Sequence, residues 1–231
     1  MARYFADLHV HSRASFDALA SPRDIVRVAA ERGLTHIAIT DHDRIDGALA
    51  ARDAAPGGLS VIIGEEVRTD DGDLICLFLE RAIAPGLSAD ETIEEARSQG
   101  GMVGIPHPFD RLRGSMLRTH RGVELAERVD WVEAYNARAV GGAANERAAE
   151  FAREHGLPGI AVSDAHSLVE VGVAYTAFES DVSGPAGLRE ALGTLEIVPG
   201  RASYVIRALT PVAKLIQRMR GNQRVKGTSG R

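Results

Sequence analysis

The 231 residues predict an α/β fold built on a mostly parallel sheet, open or closed into a barrel. Two observations carry this reading. Short apolar, β-rich runs alternate with segments of helical periodicity along most of the chain. The helical segments also carry start and stop signals where a crossover between strands needs them.

Taken in order, Tyr4 to His9 is the first strand. Ser21-Pro22 then places an N-cap before a proline at the first helical position, and Ile25, Val28 and Ala29 form one apolar face. Thr35 to Thr40, Leu59 to Val67 and Asp73 to Leu79 read as strands. Ser88-Ala-Asp-Glu91 is a capping box, and Gly100-Gly101 ends the helix it opens. Met102 to His107 and Trp131 to Asn136 are strands. A longer helix follows from about Ala143 to His155, burying Phe151 and Ala152 and stopped by Gly156-Leu157-Pro158. Gly159 to Ser163 and Ala174 to Phe178 complete the set. No repeat or linker divides residues 1–204, which are expected to form one domain. Residues 205–231 are expected to be a basic helix with a frayed tail from about Gly221.

The composition, 45% hydrophobic and 26% charged, excludes a disordered, collagen-like or disulfide-stapled chain. No run approaches the ~18 apolar residues of a membrane span, and the early charges of the N-terminus do not suit a secretory leader. A single cysteine, Cys76, has no internal partner, so a cytoplasmic location is expected. Charge is unevenly placed. The net is −5, yet from Val205 onward there are seven Lys/Arg and no acid, leaving −12 on residues 1–204. The two lysines, Lys214 and Lys226, both lie in that last segment.

Five of the eight histidines stand at or just beyond the C-terminal ends of expected strands, where parallel α/β folds place their active sites. The first strand ends Asp7-Leu8-His9-Val10-His11, and residues i and i+2 of a strand share a face, so His9 and His11 can reach one ion. Others end Thr40-Asp41-His42-Asp43, Gly64-Glu65-Glu66, Pro106-His107-Pro108 and Ser163-Asp164-Ala165-His166. Imidazole and carboxylate without thiolate suit Zn, Mn or Fe. One such piece is as often a turn or a cap. Five, each at its own strand end, point to a metal site.

These motifs, in this order over about residues 4–180, resemble the PHP (polymerase and histidinol phosphatase) family of metal-dependent phosphoesterases. The resemblance implies a distorted seven-stranded (β/α) barrel with two or three divalent ions at the strand C-terminal ends. By position, one ion would take His9, His11, Glu66 and Asp164. A second would share Glu66 and take His107. A third would take His42, His166 and Asp17. Glu66 fits the family's Gly-x-Glu pattern, and alternation allows only one of Glu65 and Glu66 into the site, with Glu65 the reserve candidate. Asp7 and Asp41 are expected to orient imidazoles. The chain departs from many three-metal members in having no His or Cys between Trp131 and His155. There Asn136 is the candidate, through its carbonyl oxygen or a hydrogen bond to a metal-bound water.

The activity implied is hydrolysis of a small phosphomonoester or nucleotide phosphodiester by a metal-bound hydroxide, since bound ions lower the pKa of water from 15.7 to about 7 and clamp phosphoryl oxygens. Arg111, Arg113 and Arg138, with Arg13 behind them, are the candidates to hold the phosphoryl group. His42 or His166 would protonate the leaving oxygen. Two alternatives stand beside this: a non-catalytic metal-binding or docking module, and an amidohydrolase-type hydrolase, which the absence of lysine from residues 1–204 disfavours. Thr210-Pro211 opens a helix in which Val212, Leu215, Ile216 and Met219 alternate with Lys214, Arg218 and Arg220. Packing on the barrel is the expected role, with contact to an anionic membrane as the alternative. The acidic body does not suit duplex nucleic acid as the main substrate.

Overall fold

The computed structural model describes residues 3–110, 122–140, 142–203 and 210–224. Its strands are β1 (Tyr4–Val10), β2 (His36–Ile39), β3 (Ser60–Thr69), β4 (Gly72–Leu77), β5 (Met102–Ile105), β6 (Trp131–Asn136), β7 (Gly159–Val162), β8 (Tyr175–Phe178) and β9 (Leu195–Val198). Its helices are α1 (Pro22–Glu31), α2 (Asp46–Ala54), α3 (Ala89–Ser98), α4 (Gly122–Ala126), α5 (Gly142–Glu154), α6 (Pro185–Ala191) and α7 (Thr210–Met219).

One sheet runs in the order β7-β6-β5-β4-β3-β2-β1-β8-β9. β1, β2 and β3 are parallel, as are β5, β6 and β7, while β4 is antiparallel to both of its neighbours. The first and seventh strands then meet. Val10 bridges Ala165, just past β7, and the His11 amide donates to the Ala165 carbonyl at 2.9 Å. The seven strands therefore curve into a nearly closed barrel. β8 and β9 continue antiparallel from β1, and the Thr176 hydroxyl bonds both the amide and the carbonyl of Ala161 in β7, at 2.9 Å each.

Three apolar clusters account for the shape. The barrel interior packs Leu8, Ile62, Leu77, Met102, Trp131 and Phe178. Gly104 leaves room for the indole, because a Cβ there would stand 2.1 Å from the Trp131 ring. Leu188 and Ala191 of α6 join this interior. Outside, one cluster packs α3, α4 and α5 against β3 to β6, and another packs α1 and α2 against β1 and β2.

The helix starts follow the sequence signals: Ser21 accepts from the Asp24 amide, and Ser88 and Glu91 form both bonds of the capping box. Four elements lacked such signals. Ile45 gives α2 no side-chain cap, α6 opens on Gly184-Pro185, α4 has five residues, and half-exposed β9 shows no alternation. Among the described residues no helix is long and apolar enough to cross a membrane.

Pleating sends the adjacent glutamates of β3 to opposite faces. Glu65 is buried outside the barrel, accepting from the Ile83 amide at 2.8 Å, and burial pushes its carboxyl up to about 8. Between the unfolded value of 4.5 and about 8, the folded chain keeps a proton that the unfolded chain has released. Stability from this group is therefore full below pH 4.5 and falls as pH rises to about 8. Glu65→Gln should shrink the fall in urea midpoint between pH 5 and pH 9; a fall as large as in the wild type would contradict this.

Candidate metal centre

The centre begins with an irregularity in β1, whose register shifts between Asp7 and Val10. Ala6 and Leu8 belong to the barrel interior and Val10 to the outer cluster under α1. The shift lets His9 and His11 come together at the strand's end. His9 Nδ1 lies 2.6 Å from Glu133 Oε1, so it donates to that carboxylate, and in the neutral ring Nε2 carries the lone pair. That Nε2 stands 2.9 Å from His11 Nε2. Glu66 Oε2 is 3.4 Å and 3.3 Å from the two nitrogens, and Asp164 Oδ1 is 3.7 Å and 3.5 Å away. Two nitrogens and two carboxylate oxygens thus converge on one point, with at most one hydrogen to share. Glu66 Oε2 is buried with no hydrogen-bond partner. A cation satisfies all four.

A second group adjoins the first. Asp17, from the β1–α1 loop, places Oδ2 at 3.4 Å from Nε2 of both His42 and His166. The His11 ring lies between them, its centroid 4.6 Å from that of His42 and 4.3 Å from that of His166. Ligand atoms of His11, Asp17, His42 and His166 all fall within 4.8 Å of one another, as do those of His9, His11 and Asp164. Asp17 Oδ1 is also buried without a hydrogen bond. Glu66 joins the groups: its Oε2 is 3.1 Å from His42 Nδ1 and its Oε1 is 3.1 Å from His107 Nε2. The residues fit divalent ions. His9, His11, Glu66 and Asp164 would hold one ion, His11, Asp17, His42 and His166 another, and Glu66 with His107 would serve a further position.

Without an ion the imidazoles divide. Burial lowers His9 and His42, but Glu133 and Asp164 outweigh it and raise His9 well above its ordinary value. Glu66 and Asp17 raise His42 to about 9, so a metal would displace protons from these two. Burial, and then the neighbouring His166, hold the His11 imidazole well below its ordinary pKa and hence neutral. Burial raises the Glu66 carboxyl, but His42, followed by His107 and His9, outweighs it and keeps it ionised. Asp43, His107 and Asp164 adopt positive φ values of 56°, 28° and 53° beside the strand ends, so the centre sits on strained backbone.

Several residues take other positions than the sequence suggested. Asn136 presents no carbonyl oxygen to the centre: its Oδ1 accepts from the Arg138 amide, and its Nδ2 donates to Glu133 and Asp164. The two carboxylates need a donor, which fixes this orientation. Arg138 is buried and binds Glu170 at 2.6 Å and the Thr210 hydroxyl at 2.8 Å, so its guanidinium braces the chain. Arg111 and Arg113 lie outside the described residues. Asp7 and Asp41 orient backbone, not imidazoles. Asp7 accepts from Ser163 and Gly172, and Asp41 from the Ser12 amide and hydroxyl and the Ser15 amide. Ser12 and Ser15 shape the loop that follows His11. Gly47 permits this, because a Cβ there would stand 1.9 Å from Asp41 Oδ2.

Glu133, at His9 Nδ1, and Ser15, whose hydroxyl lies 3.1 Å from His11 Nδ1, do touch imidazoles and were missed. The signal for Glu133 was an acid two residues after Trp131 in a strand, on the face of the barrel interior. The C-terminal segment is likewise more ordered than its composition implied. α7 buries Ala213 and Gln217, while Val212, Leu215 and Met219 are exposed. Gln217 Nε2 donates to the carbonyls of Arg13, Ser15 and Ala18, gripping the loop that carries Asp17. Beyond Gly221 the chain does not fray at once: Arg224 binds Asp43 at 3.0 Å and Asp73 at 2.7 Å.

Two outcomes follow from these contacts. Glu133→Gln weakens the hold on His9 Nδ1 and should lower affinity for Zn or Mn about 10–100-fold in chelator competition, with circular dichroism unchanged. Gln217→Leu removes the donor to the Ala18 carbonyl, leaves those of Arg13 and Ser15 to Asn222 alone, and should both lower the melting temperature and reduce metal bound per chain. Wild-type affinity in the first variant, or wild-type stoichiometry in the second, would count against these roles.

The family model described as the PHP domain matches residues 7–141, and that described as PHP-associated matches residues 142–196. An uncharacterized protein of Methanocaldococcus jannaschii is 36% identical over 143 residues, 57% of this chain and 81% of that protein. The 3',5'-nucleoside bisphosphate phosphatase of Chromobacterium violaceum is 37% identical over 117 residues, 45% of this chain and 41% of that enzyme. A solved two-domain protein of Bacteroides vulgatus, containing a predicted PHP-like metal-dependent phosphoesterase, superposes with TM-score 0.73 at 20% identity. That superposition covers 86% of this chain and 65% of the other, and it shows a shared fold. With the PHP model matched over more than half of its length, the chain belongs to the PHP family of metal-dependent phosphoesterases.

Proposed function

We propose that the protein hydrolyses a small phosphomonoester or nucleotide phosphodiester at this centre. The observation that carries the reading is the approach of His9 Nε2 and His11 Nε2 to 2.9 Å, between the Glu66 and Asp164 carboxylates. A single proton shared by the two nitrogens leaves Glu66 Oε2 without a hydrogen bond, whereas a divalent ion joins all four groups. Bound ions supply an activated water and charge for the phosphoryl oxygens.

The chain's own residues supply the rest. A cavity of about 400 Å³ opens beside the centre, lined by Asp17 and His166 and by the apolar Leu19, Leu168, Val169 and Ala213. This size suits a small ligand. The leaving group would lie against the apolar wall, with the phosphoryl group towards Asp17 and His166. His42 is packed behind, its ring 4.9 Å from that of Phe16. His166 borders the cavity, but its Nδ1 donates to the Asp164 carbonyl at 2.9 Å, so its Nε2 would serve the ion beside Asp17 and the leaving oxygen would take its proton from water. With Arg138 committed to Glu170, Arg111 and Arg113, which follow His107 in sequence, remain the candidates to hold the phosphoryl oxygens.

The likeness to the nucleoside bisphosphate phosphatase makes a 3',5'-nucleoside bisphosphate the first substrate to assay. Manganese or zinc should stimulate phosphate release, and His9→Ala/His11→Ala should lower the rate at least a hundredfold. A double variant that keeps most of its activity would contradict the assignment. Turnover of amides in preference to phosphate esters would favour the amidohydrolase alternative, and no turnover in metal-loaded protein would favour a binding module.

A further inference from the structure

A larger cavity, of about 700 Å³, lies apart from the metal centre, between the β1–α1 loop, the starts of α1 and α2, and the end of α7. Arg13, Arg23, Arg44 and Arg220 line it, and Asp46 is the single acid among its lining residues. No candidate metal ligand borders it. Asp46 is already bound to Arg44, through Nε at 2.5 Å and Nη2 at 2.9 Å. Among the described residues, the guanidinium groups of Arg13, Arg23 and Arg220 make no hydrogen bond or ion pair. Residues 1–204 carry a net charge of −12, yet these cations gather round a concavity without acidic partners. Their mutual repulsion is relieved by an anion between them.

We propose that this cavity binds a small oligophosphate, a chain of two or three phosphoryl groups either free or carried on a nucleoside. Guanidinium forks match phosphoryl oxygens in bidentate geometry and keep their charge at any working pH. The volume lies in the range of small-molecule sites. The four arginines come from four separate elements and border one open concavity; a nucleic-acid strand would need them along a track. The start of α1, at Ser21 and Pro22, adds the positive end of a ten-residue helix to the wall.

The site is also mechanically joined to the metal centre. Arg13 and Ala14 follow His11 in the loop that leads to Asp17, and their carbonyls accept from Gln217 and Asn222 at the end of α7. An oligophosphate held between Arg13 and Arg220 ties the C-terminal segment to that loop. Binding therefore strengthens the grip on Asp17.

Calorimetric titration with inorganic triphosphate tests this on three full-length proteins: wild type, His9→Ala/His11→Ala, and Arg23→Glu/Arg220→Glu. Binding of one triphosphate per chain is expected in the first two, within twofold of each other and weakened by added salt. At least tenfold weaker binding is expected in the arginine variant, and also in Arg23→Gln/Arg220→Gln with an unchanged melting temperature. Loss of binding in the histidine variant would place the anion at the metal centre and overturn the proposal. So would the absence of saturable binding, wild-type affinity in the glutamine variant, or tighter binding of a single-stranded oligonucleotide than of triphosphate. A nucleoside triphosphate binding more tightly than triphosphate assigns the carried form, and weaker binding assigns the free chain; both support the site.

Discussion

Four buried side chains, His9, His11, Glu66 and Asp164, converge at the end of β1, and Glu66 Oε2 meets both imidazoles there without a hydrogen bond. His9 is committed through Nδ1 to Glu133, and the space its Nε2 faces is shared with His11, Glu66 and Asp164. All four are buried. In a low-dielectric interior, unbalanced lone pairs and carboxylates destabilise the fold unless a cation joins them. The rest of the molecule holds these groups in place against that repulsion.

The barrel does this by closing on the site. The seam between the first and seventh strands is made where His11 donates to Ala165, so the same contact that completes the barrel brings Asp164 and His166 beside His11. Asp7 ties the seam from below by accepting from Ser163 and Gly172. Asp41 performs a similar task on the opposite side, fixing the turn through Ser12 and Ser15 that delivers Asp17. Buried carboxylates at both corners bond to backbone amides, and the imidazoles are oriented by a second set of groups, Glu133 and Ser15. The C-terminal segment adds a clamp from outside, through Gln217 and Arg224.

Much of this was legible in the sequence, because the signals were local. Alternation and capping residues placed eight strands and the main helices, and the position of histidines at strand ends located the centre. The separation of Glu65 from Glu66 needed only the pleat. What escaped had a non-local cause. The register shift in β1 depends on how β2 packs beside it, so Asp7 reads as a neighbour of His9 on the same face when it bonds Ser163 across the seam. The role of Asn136 depends on Glu133 and Asp164 converging from two strands. α7 looked as though its apolar residues would pack inward, yet a glutamine does so, because the loop carbonyls of Arg13, Ser15 and Ala18 present acceptors where it lands.

Anomalous X-ray scattering from crystals of the manganese-loaded protein tests the central claim most directly. Peaks are expected within ligand distance of His9, His11, Glu66 and Asp164, and of His11, Asp17, His42 and His166. Manganese bound elsewhere, with His9 and His11 making no metal contact, would contradict it.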